Sequence, residues 1–159
     1  DNGKGAIGKF TDGFATAKFI NIKTDGSAGH SLTFSDADFF LFRKAEAYLI
    51  YAEATARANG NQLTKEGIDA VNTLRKRANA EEKPNYTLSE LCDEWSREFY
   101  FEGIRRPTLI RFGYFGGDNN YNWTYKGGVK EGRSFSANKN IFAIPSNYAK
   151  GAIKQNPDY

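Results

Sequence analysis

The sequence predicts a mostly α-helical domain of tetratricopeptide-like helix pairs (αα-hairpins in an α–α superhelix) joined by long ordered loops, and three observations carry this prediction. The first is an apolar stripe at helical spacing, formed by Ala45, Leu49, Ala52 and Ala56. The second is a matching stripe a short turn later, formed by Ile68, Val71, Leu74 and Ala78. The third is a capping box from Thr87 to Glu90.

The first two stripes define an antiparallel helix pair. We expect a helix over residues 39–59, capped by Asp38 and closed by Gly60, a residue suited to left-handed geometry. A second helix over residues 64–79 follows, with Thr64 as its cap. The alanines of the first helix allow a close approach of the second, and a single hairpin needs neighbours to cover its apolar face.

The capping box opens a third helix, expected over residues 88–103. Its inner face is predicted to consist of Leu88, Leu91, Trp95 and Phe99. A turn after Gly103 leads to a short helix around residues 108–115, and the Gly-, Asn- and Tyr-rich remainder is expected to form ordered loop. Residues 1–35 are expected to be an extended lead-in, and residues 36–159 a helical domain.

Composition narrows the function classes. The 159 residues carry a net charge of +3 spread over both signs, without the basic block typical of nucleic-acid binding. Cys92 is the single cysteine, which excludes an internal disulfide and zinc clusters of cysteines. The sequence contains no methionine, so we expect it to be a processed chain or a piece of a longer protein.

Residues 94–113 interleave aromatic and charged side chains too closely for all of them to face water. We therefore expect structural ion pairs, with Glu98 or Glu102 within salt-bridge distance of an arginine. The candidate partners are Arg105, Arg106 and Arg111. Two carboxylates one turn apart could also suggest a glycosidase. Neighbouring arginines lower carboxylate pKa values, which is the wrong direction for a general acid, so an enzyme is disfavoured and no catalytic residue is assigned.

Six motifs follow one another along the chain: RKAEAYLIYAEA from Arg43, NTLRKRA from Asn72, RE with FEGIRR from Arg97, WTYKGG from Trp123, NIFAIP from Asn140 and the final QNPDY. Together they resemble the C-terminal part of the SusD/RagB family. The chain departs from the family pattern at Pro107–Thr108 and at Asp158.

The resemblance implies a non-catalytic glycan-binding lipoprotein at the surface of the bacterial outer membrane. It further implies that residues 1–35 belong to a larger upstream domain, that a lipid anchor lies on an upstream part, and that oligosaccharides are delivered to a SusC-like TonB-dependent transporter. Its main sugar-stacking aromatics would lie upstream of these residues. The alternative is a tetratricopeptide-like scaffold that binds proteins and no sugar.

Two local sites keep two interpretations each. Asp36 and Asp38 could be calcium ligands, as the resemblance also suggests, or they could cap and support the first helix. No other cofactor is expected. Trp123, with Tyr121 and Tyr125 beside Asn119, Asn120 and Asn122, could form a sugar-stacking platform. Alternatively Trp123 plugs the helical core and anchors its loop, which the residues favour.

Overall fold

A computed structural model describes residues 18–31, 33–117 and 121–159. It divides after Glu94 into two compact units. Within the described ranges the secondary structure is helical, and strand-like pairing is limited to one isolated bridge between Ile22 and Ala28. None of the described helices is long and apolar enough to cross a membrane. Much of the predicted lead-in, residues 1–17 and 32, lies outside the described residues, and the boundary at residue 36 stays a prediction.

Helices α1 (Lys44–Ala58) and α2 (Lys65–Arg77) form the predicted pair and pack on each other. The α1 stripe is confirmed, because Ala45, Leu49, Ala52 and Ala56 are all buried. Gly67 lets the helices approach closely: a Cβ placed there would lie 3.4 Å from the Cα of Ala52. This contact adds a glycine to the α2 stripe that apolar periodicity does not reveal.

The start of α1 corrects one prediction. The helix begins at Lys44 with Arg43 at the N-cap position and no side-chain cap, so Asp38 does not cap it. Arg43 itself has extended backbone angles, φ −130° and ψ 147°, and residues 36–43 stay outside the helix. Asp36, the other acidic residue before the helix, is held by a loop contact described below. The predicted end is confirmed, since Gly60 takes a left-handed φ of 59°.

Helix α2 follows its cap signals more closely than its apolar pattern. The Thr64 hydroxyl accepts a hydrogen bond from Gly67 N at 3.1 Å, as a helix cap does. Val71 and Leu74 are buried as predicted, but Ile68 is half-buried and Ala78 is exposed. Ala78 lies at the C-cap, beyond the last full turn, so it no longer faces α1.

Helix α3 (Leu88–Glu98) begins at the predicted capping box. Thr87 Oγ1 accepts from Glu90 N at 3.2 Å, and Glu90 Oε2 accepts from Thr87 N at 2.8 Å. The helix ends five residues before the predicted position because Phe101 and Gly103 both take left-handed backbone angles, with φ of 62° and 79°. A left-handed residue interrupts an α-helix.

The second unit contains α4 (Arg105–Arg111) and two short 3₁₀ segments, Lys126–Gly128 and Ala137–Asn140. Helix α4 lies closer to the turn at Gly103 than the predicted 108–115. Its Thr108 hydroxyl donates back to Ile104 O at 2.8 Å, and Thr108 and Leu109 are its buried residues. The other described residues of this unit form loop, held by side-chain contacts and by scattered backbone hydrogen bonds such as that from Gly117 N to Phe135 O at 2.9 Å.

Candidate functional site

Aromatic side chains after α4 gather in one cluster, the aromatic loop cluster, which contains Tyr114, Phe115, Tyr121, Trp123 and Phe135. The rings of Tyr114 and Tyr121 stack with their centroids 4.4 Å apart and 13° between planes. Trp123 lies 6.0 Å from Tyr121 and 6.5 Å from Phe115, and Phe115 meets Phe135 edge-on at 5.6 Å. Ring pairs at these separations stabilise the packing of the described residues that follow α4.

Lys126 is the cation inside this cluster, and its side chain is only 2% exposed. Its ammonium group donates to the Tyr121 carbonyl at 2.8 Å and lies 4.7 Å from the ring centre of Trp123 and 5.0 Å from that of Phe135. Burial lowers the pKa of Lys126, because a charge is less stable away from water. The contacts to the carbonyl and the ring faces offset part of this cost.

Two glycines allow the backbone around Lys126 to close. At Gly132, whose φ is 73°, a Cβ would lie 2.4 Å from the carbonyl oxygen of Trp123. At Gly127, whose φ is 72°, a Cβ would meet the Arg133 side chain. Tyr125 is also left-handed, with φ of 66°. The backbone of this loop is therefore tightly folded. Contacts of its carbonyl group as well as of its ring fix Trp123 in place.

Tyr121, Trp123 and Tyr125 are each half-buried. The structure brings Tyr121 and Trp123 together, and Asn119 and Asn120 lie outside the described residues. The ammonium of Lys126 lies against Trp123, which supports a role in anchoring the loop, while the partial exposure leaves part of the ring accessible. Whether the three aromatics contact a sugar stays a prediction. No role for Lys126 was predicted from the sequence, although its position between aromatic residues and a Gly-Gly pair was a signal.

The three candidate arginines all follow α3 and make aromatic or backbone contacts. Arg106 donates to the Lys139 carbonyl at 2.8 Å, and its guanidinium lies 3.8 Å from the Phe142 ring centre. Arg111 lies 4.9 Å over Trp95, and Arg105 Nη2 donates to the Tyr121 hydroxyl at 3.2 Å. The arginines therefore also stabilise the structure through aromatic side chains and a backbone carbonyl, a role that the sequence alone does not show.

The candidate carboxylates differ in burial: Glu102 is 9% exposed and Glu98 is half-buried. Their predicted ion pairs with the arginines stay a prediction. The first unit contains an ion pair that sequence analysis missed, between Arg75 Nη1 and Glu94 Oε1 at 2.5 Å, with side chains 14% and 10% exposed. Helical spacing alone does not pair these residues, because they lie on different helices.

The C-terminal residues clamp the segment around Ile144 through side chains. Gln155 accepts from Ile144 N at 2.8 Å and donates to Ile144 O at 2.7 Å, as a neighbouring strand would. Asn156 donates to the Phe142 carbonyl at 2.7 Å, and the Tyr159 hydroxyl donates to the Ile141 carbonyl at 2.7 Å. The QNPDY motif therefore ties the chain end to the NIFAIP segment.

The predicted calcium ligands lie in a small polar loop. Asp36 Oδ2 accepts from His30 N at 2.7 Å, Oδ1 contacts the His30 ring nitrogen Nδ1, and Asp36 N donates to Asn21 Oδ1 at 2.8 Å. His30 meets Asp36 because the loop folds back onto it. In the described part of the chain, no three or more His, Cys, Asp or Glu side chains are arranged to hold a metal ion. Calcium at Asp36 and Asp38 therefore needs ligands from elsewhere and stays a prediction.

An apolar groove of about 420 Å³ lies in the second unit, between the end of α3 and α4. Its walls include Trp95, Phe99, Tyr100, Phe101 and Arg105. The indole N–H of Trp95 is buried and has no acceptor in the part of the chain that the structure describes. Tyr100 and Phe101 are more than half exposed beside it.

Comparison with known proteins places the chain in a family. Residues 3–157 match the family model of the SusD family. Over 141 residues the chain is 45% identical to the starch-binding protein SusD of Bacteroides thetaiotaomicron. That alignment covers 88% of this chain and 24% of the relative, so the chain spans about a quarter of the relative's length.

A solved structure shows the same fold. The crystal structure of a SusD superfamily protein from Parabacteroides distasonis superposes with a TM-score of 0.53 at 23% sequence identity, over 80% of this chain and 28% of that one. The likeness confirms the predicted mostly α, tetratricopeptide-like fold class. Because the family model spans nearly all residues and the identity to a curated member is high, the chain belongs to the SusD family.

Proposed function

We propose that this chain is the C-terminal helical framework of a longer, non-catalytic glycan-binding protein. The single observation that carries the proposal is the 45% identity to a starch-binding protein over 88% of the chain. The aromatic loop cluster supports it, because half-buried rings that are fixed by contacts on their buried side are suited to stacking on sugar faces. The 24% share of the relative's length supports the view that further chain completes the protein.

The proposal extends to location and partners. The protein would lie at the bacterial outer membrane, anchored by a lipid on a part outside these residues, and would pass oligosaccharides to a SusC-like TonB-dependent transporter. Membership of the SusD family supports this arrangement. A calcium ion at Asp36 and Asp38 would require additional oxygen ligands from the remainder of the protein.

The chain alone is expected to bind glycans weakly or not at all. Stacking on one aromatic side chain contributes about 0.5–1.5 kcal/mol beyond burial, whereas even millimolar affinity requires about 4 kcal/mol. A single platform at Trp123 therefore cannot hold an oligosaccharide without converging hydrogen bonds. The principal contacts would lie in the remainder of the longer protein.

Isothermal titration calorimetry tests whether glycan binding requires the longer protein. The 159-residue chain and the longer protein are titrated with α- and β-glucans, mannans and host glycans. We expect binding by the longer protein and none by the chain at micromolar concentrations. Micromolar binding by the chain, lost in Trp123→Ala, would move the principal site into the aromatic loop cluster. If the longer protein bound none of these glycans, the glycan function would be contradicted.

A second candidate, a protein-binding scaffold without sugar binding, is favoured by the outer face of α1. Ile50 and Tyr51 of this helix remain 52% and 48% exposed although the helix is paired with α2. Helix hairpins of this type bind peptides or neighbouring repeats along such faces. Copurification of a transporter with the longer protein, in the absence of any glycan affinity, would support the scaffold over the glycan binder.

A further inference from the structure

Four consecutive apolar residues immediately before α1 are open to solvent. Phe39 and Phe40 are 59% and 61% exposed, and Leu41 and Phe42 are 80% and 86% exposed. We refer to residues 39–42 as the FFLF segment. Single exposed apolar residues are common on proteins, but a contiguous group of this size marks a surface that something else covers.

The exposure of these side chains restricts what can cover them. Residues 39–42 lie outside helices and strands, and the ring of Phe39 stacks on Phe19 with centroids 5.8 Å apart. Because each of the four is more than half exposed, the segment is open on more than one side. A separately folded partner or a lipid surface approaches from one side and would leave part of the segment in water.

We propose that the FFLF segment is an interior element of the longer protein, enclosed by the polypeptide that this protein has beyond the 159 residues. This inference rests on the longer protein of the proposed function. The chain spans 24% of its curated relative and 28% of the similar solved structure. A protein of that length has enough additional chain to surround a short segment on several sides.

The neighbouring structure fits an enclosed segment. Directly after it, α1 buries its alanine stripe against α2 and exposes Ile50 and Tyr51 on its other side. Phe34, shortly before the segment, is 72% exposed. Exposed apolar side chains therefore lie on both sides of the FFLF segment, separated from it by the charged residues Asp36, Asp38, Arg43 and Lys44.

Hydrogen–deuterium exchange on the unmodified proteins is the first test. We expect backbone amides of residues 39–42 to exchange at least about tenfold more slowly in the longer protein than in the 159-residue chain, because enclosed backbone opens less often. Equal exchange in the two proteins overturns the proposal. Protection that appears in the chain alone and rises with its concentration would assign the segment to a second copy and also overturn it.

Substitution is the second test. Phe40→Ser with Phe42→Ser should lower the Tm of the longer protein by about 3 °C or more, since buried aromatic side chains are lost. In the chain alone, the same change should leave the Tm unaltered and raise solubility. Lys23→Ser, which shortens another exposed side chain, is the control and should alter neither protein. An unchanged Tm in the longer double variant contradicts the inference.

The outcome separates this inference from the proposed function. If the longer protein binds no glycan but protects residues 39–42, the glycan function fails and the inference stands. If it binds a glycan while the segment exchanges freely, the inference fails alone. A gene that encodes no polypeptide beyond these residues would overturn the inference directly.

Discussion

Arg75 in the first unit and Lys126 in the second are both largely removed from water, yet they have different partners. Arg75 forms an ion pair with Glu94 from the next helix. Lys126 donates to a backbone carbonyl and lies between two aromatic rings. A helix can present a carboxylate at a fixed position, whereas a wound loop presents its own carbonyls and ring faces. The local backbone therefore decides which chemistry stabilises a buried cation.

The two units also differ in the hydrogen bonds that their uncharged side chains make. In the first unit, Thr64 and Thr87 bond to backbone N–H groups three residues away, within one helical turn. In the second unit, Gln155 and Asn156 bond to backbone groups at residues 144 and 142, across the loop. Short-range contacts form with the helix itself, while long-range contacts require the loop to be folded already. We expect substitutions to damage the two units by different routes.

The largest effect is expected from Glu94→Ala. Removal of one partner from a buried ion pair leaves the Arg75 guanidinium without its carboxylate in a site that is 14% exposed. Such a change typically lowers the free energy of unfolding by about 3–5 kcal/mol. Urea unfolding followed by circular dichroism measures it. Asp93→Ala, on the same helix, is the control and should lower the free energy of unfolding by less than about 1 kcal/mol. Equal losses in both variants would show that the ion pair contributes no specific stabilisation.

Gly132→Ala is expected to follow, at about 2–4 kcal/mol. Its Cβ would collide with the Trp123 carbonyl, and backbone at that position cannot move aside easily. Gly128→Ala is the matched control, because its φ of 87° is also left-handed but a Cβ there meets nothing within 4 Å. The difference between the two variants, measured by urea unfolding, isolates the collision. No difference would mean that the turn relaxes.

Lys126→Met should lower the free energy of unfolding by about 1–3 kcal/mol. The substitution keeps an apolar stem but removes a charged hydrogen bond and the contacts to two ring faces. The near-ultraviolet circular dichroism of the protein, to which Trp123 contributes, should change as well. Lys130→Met, in the exposed part of the same loop, should change neither quantity. A Lys126→Met variant as stable as the wild type would show that the cation is tolerated rather than stabilising.

The smallest effect concerns Glu90 and depends on pH. Hydrogen bonds from the Thr87 backbone, the Lys83 side chain and the Thr87 hydroxyl lower the pKa of Glu90 from 4.5 to about 2. Because the folded-state pKa is the lower one, the stabilisation is complete above about pH 4.5. It is lost as the pH falls toward 2. Both Glu90 and Lys83 are 40% exposed, so the contribution is below about 1 kcal/mol.

Glu90→Gln tests this contribution. The stability difference between the wild type and the variant should be present at pH 7 and should shrink between about pH 4.5 and pH 2. Thermal unfolding over that range measures the difference. Glu66→Gln, an exposed acidic residue in the first turn of α2, serves as the control. A difference that does not vary with pH would show that the carboxylate charge plays no part in the cap.

The sequence by itself determined the helix pair, the starts of α2 and α3, and the family. The side chains of Thr64, Thr87 and Glu90 accept hydrogen bonds from N–H groups within one turn. These caps can therefore be predicted without knowledge of tertiary contacts. The apolar stripe of α1 is equally local, since its periodicity fixes the buried face before any partner is known.

Only the tertiary structure decided where α3 ends, which partner Asp36 takes and how Lys126 is buried. Phe101 becomes left-handed despite having no local tendency to do so, and His30 meets Asp36 only because the loop folds back. Lys126 is charged and would face water in any local description of its segment. Its burial depends on Trp123 and Phe135, which converge on it from different parts of the loop. Contacts of this kind carry no periodic signal, because the side chains that form them are brought together by folding.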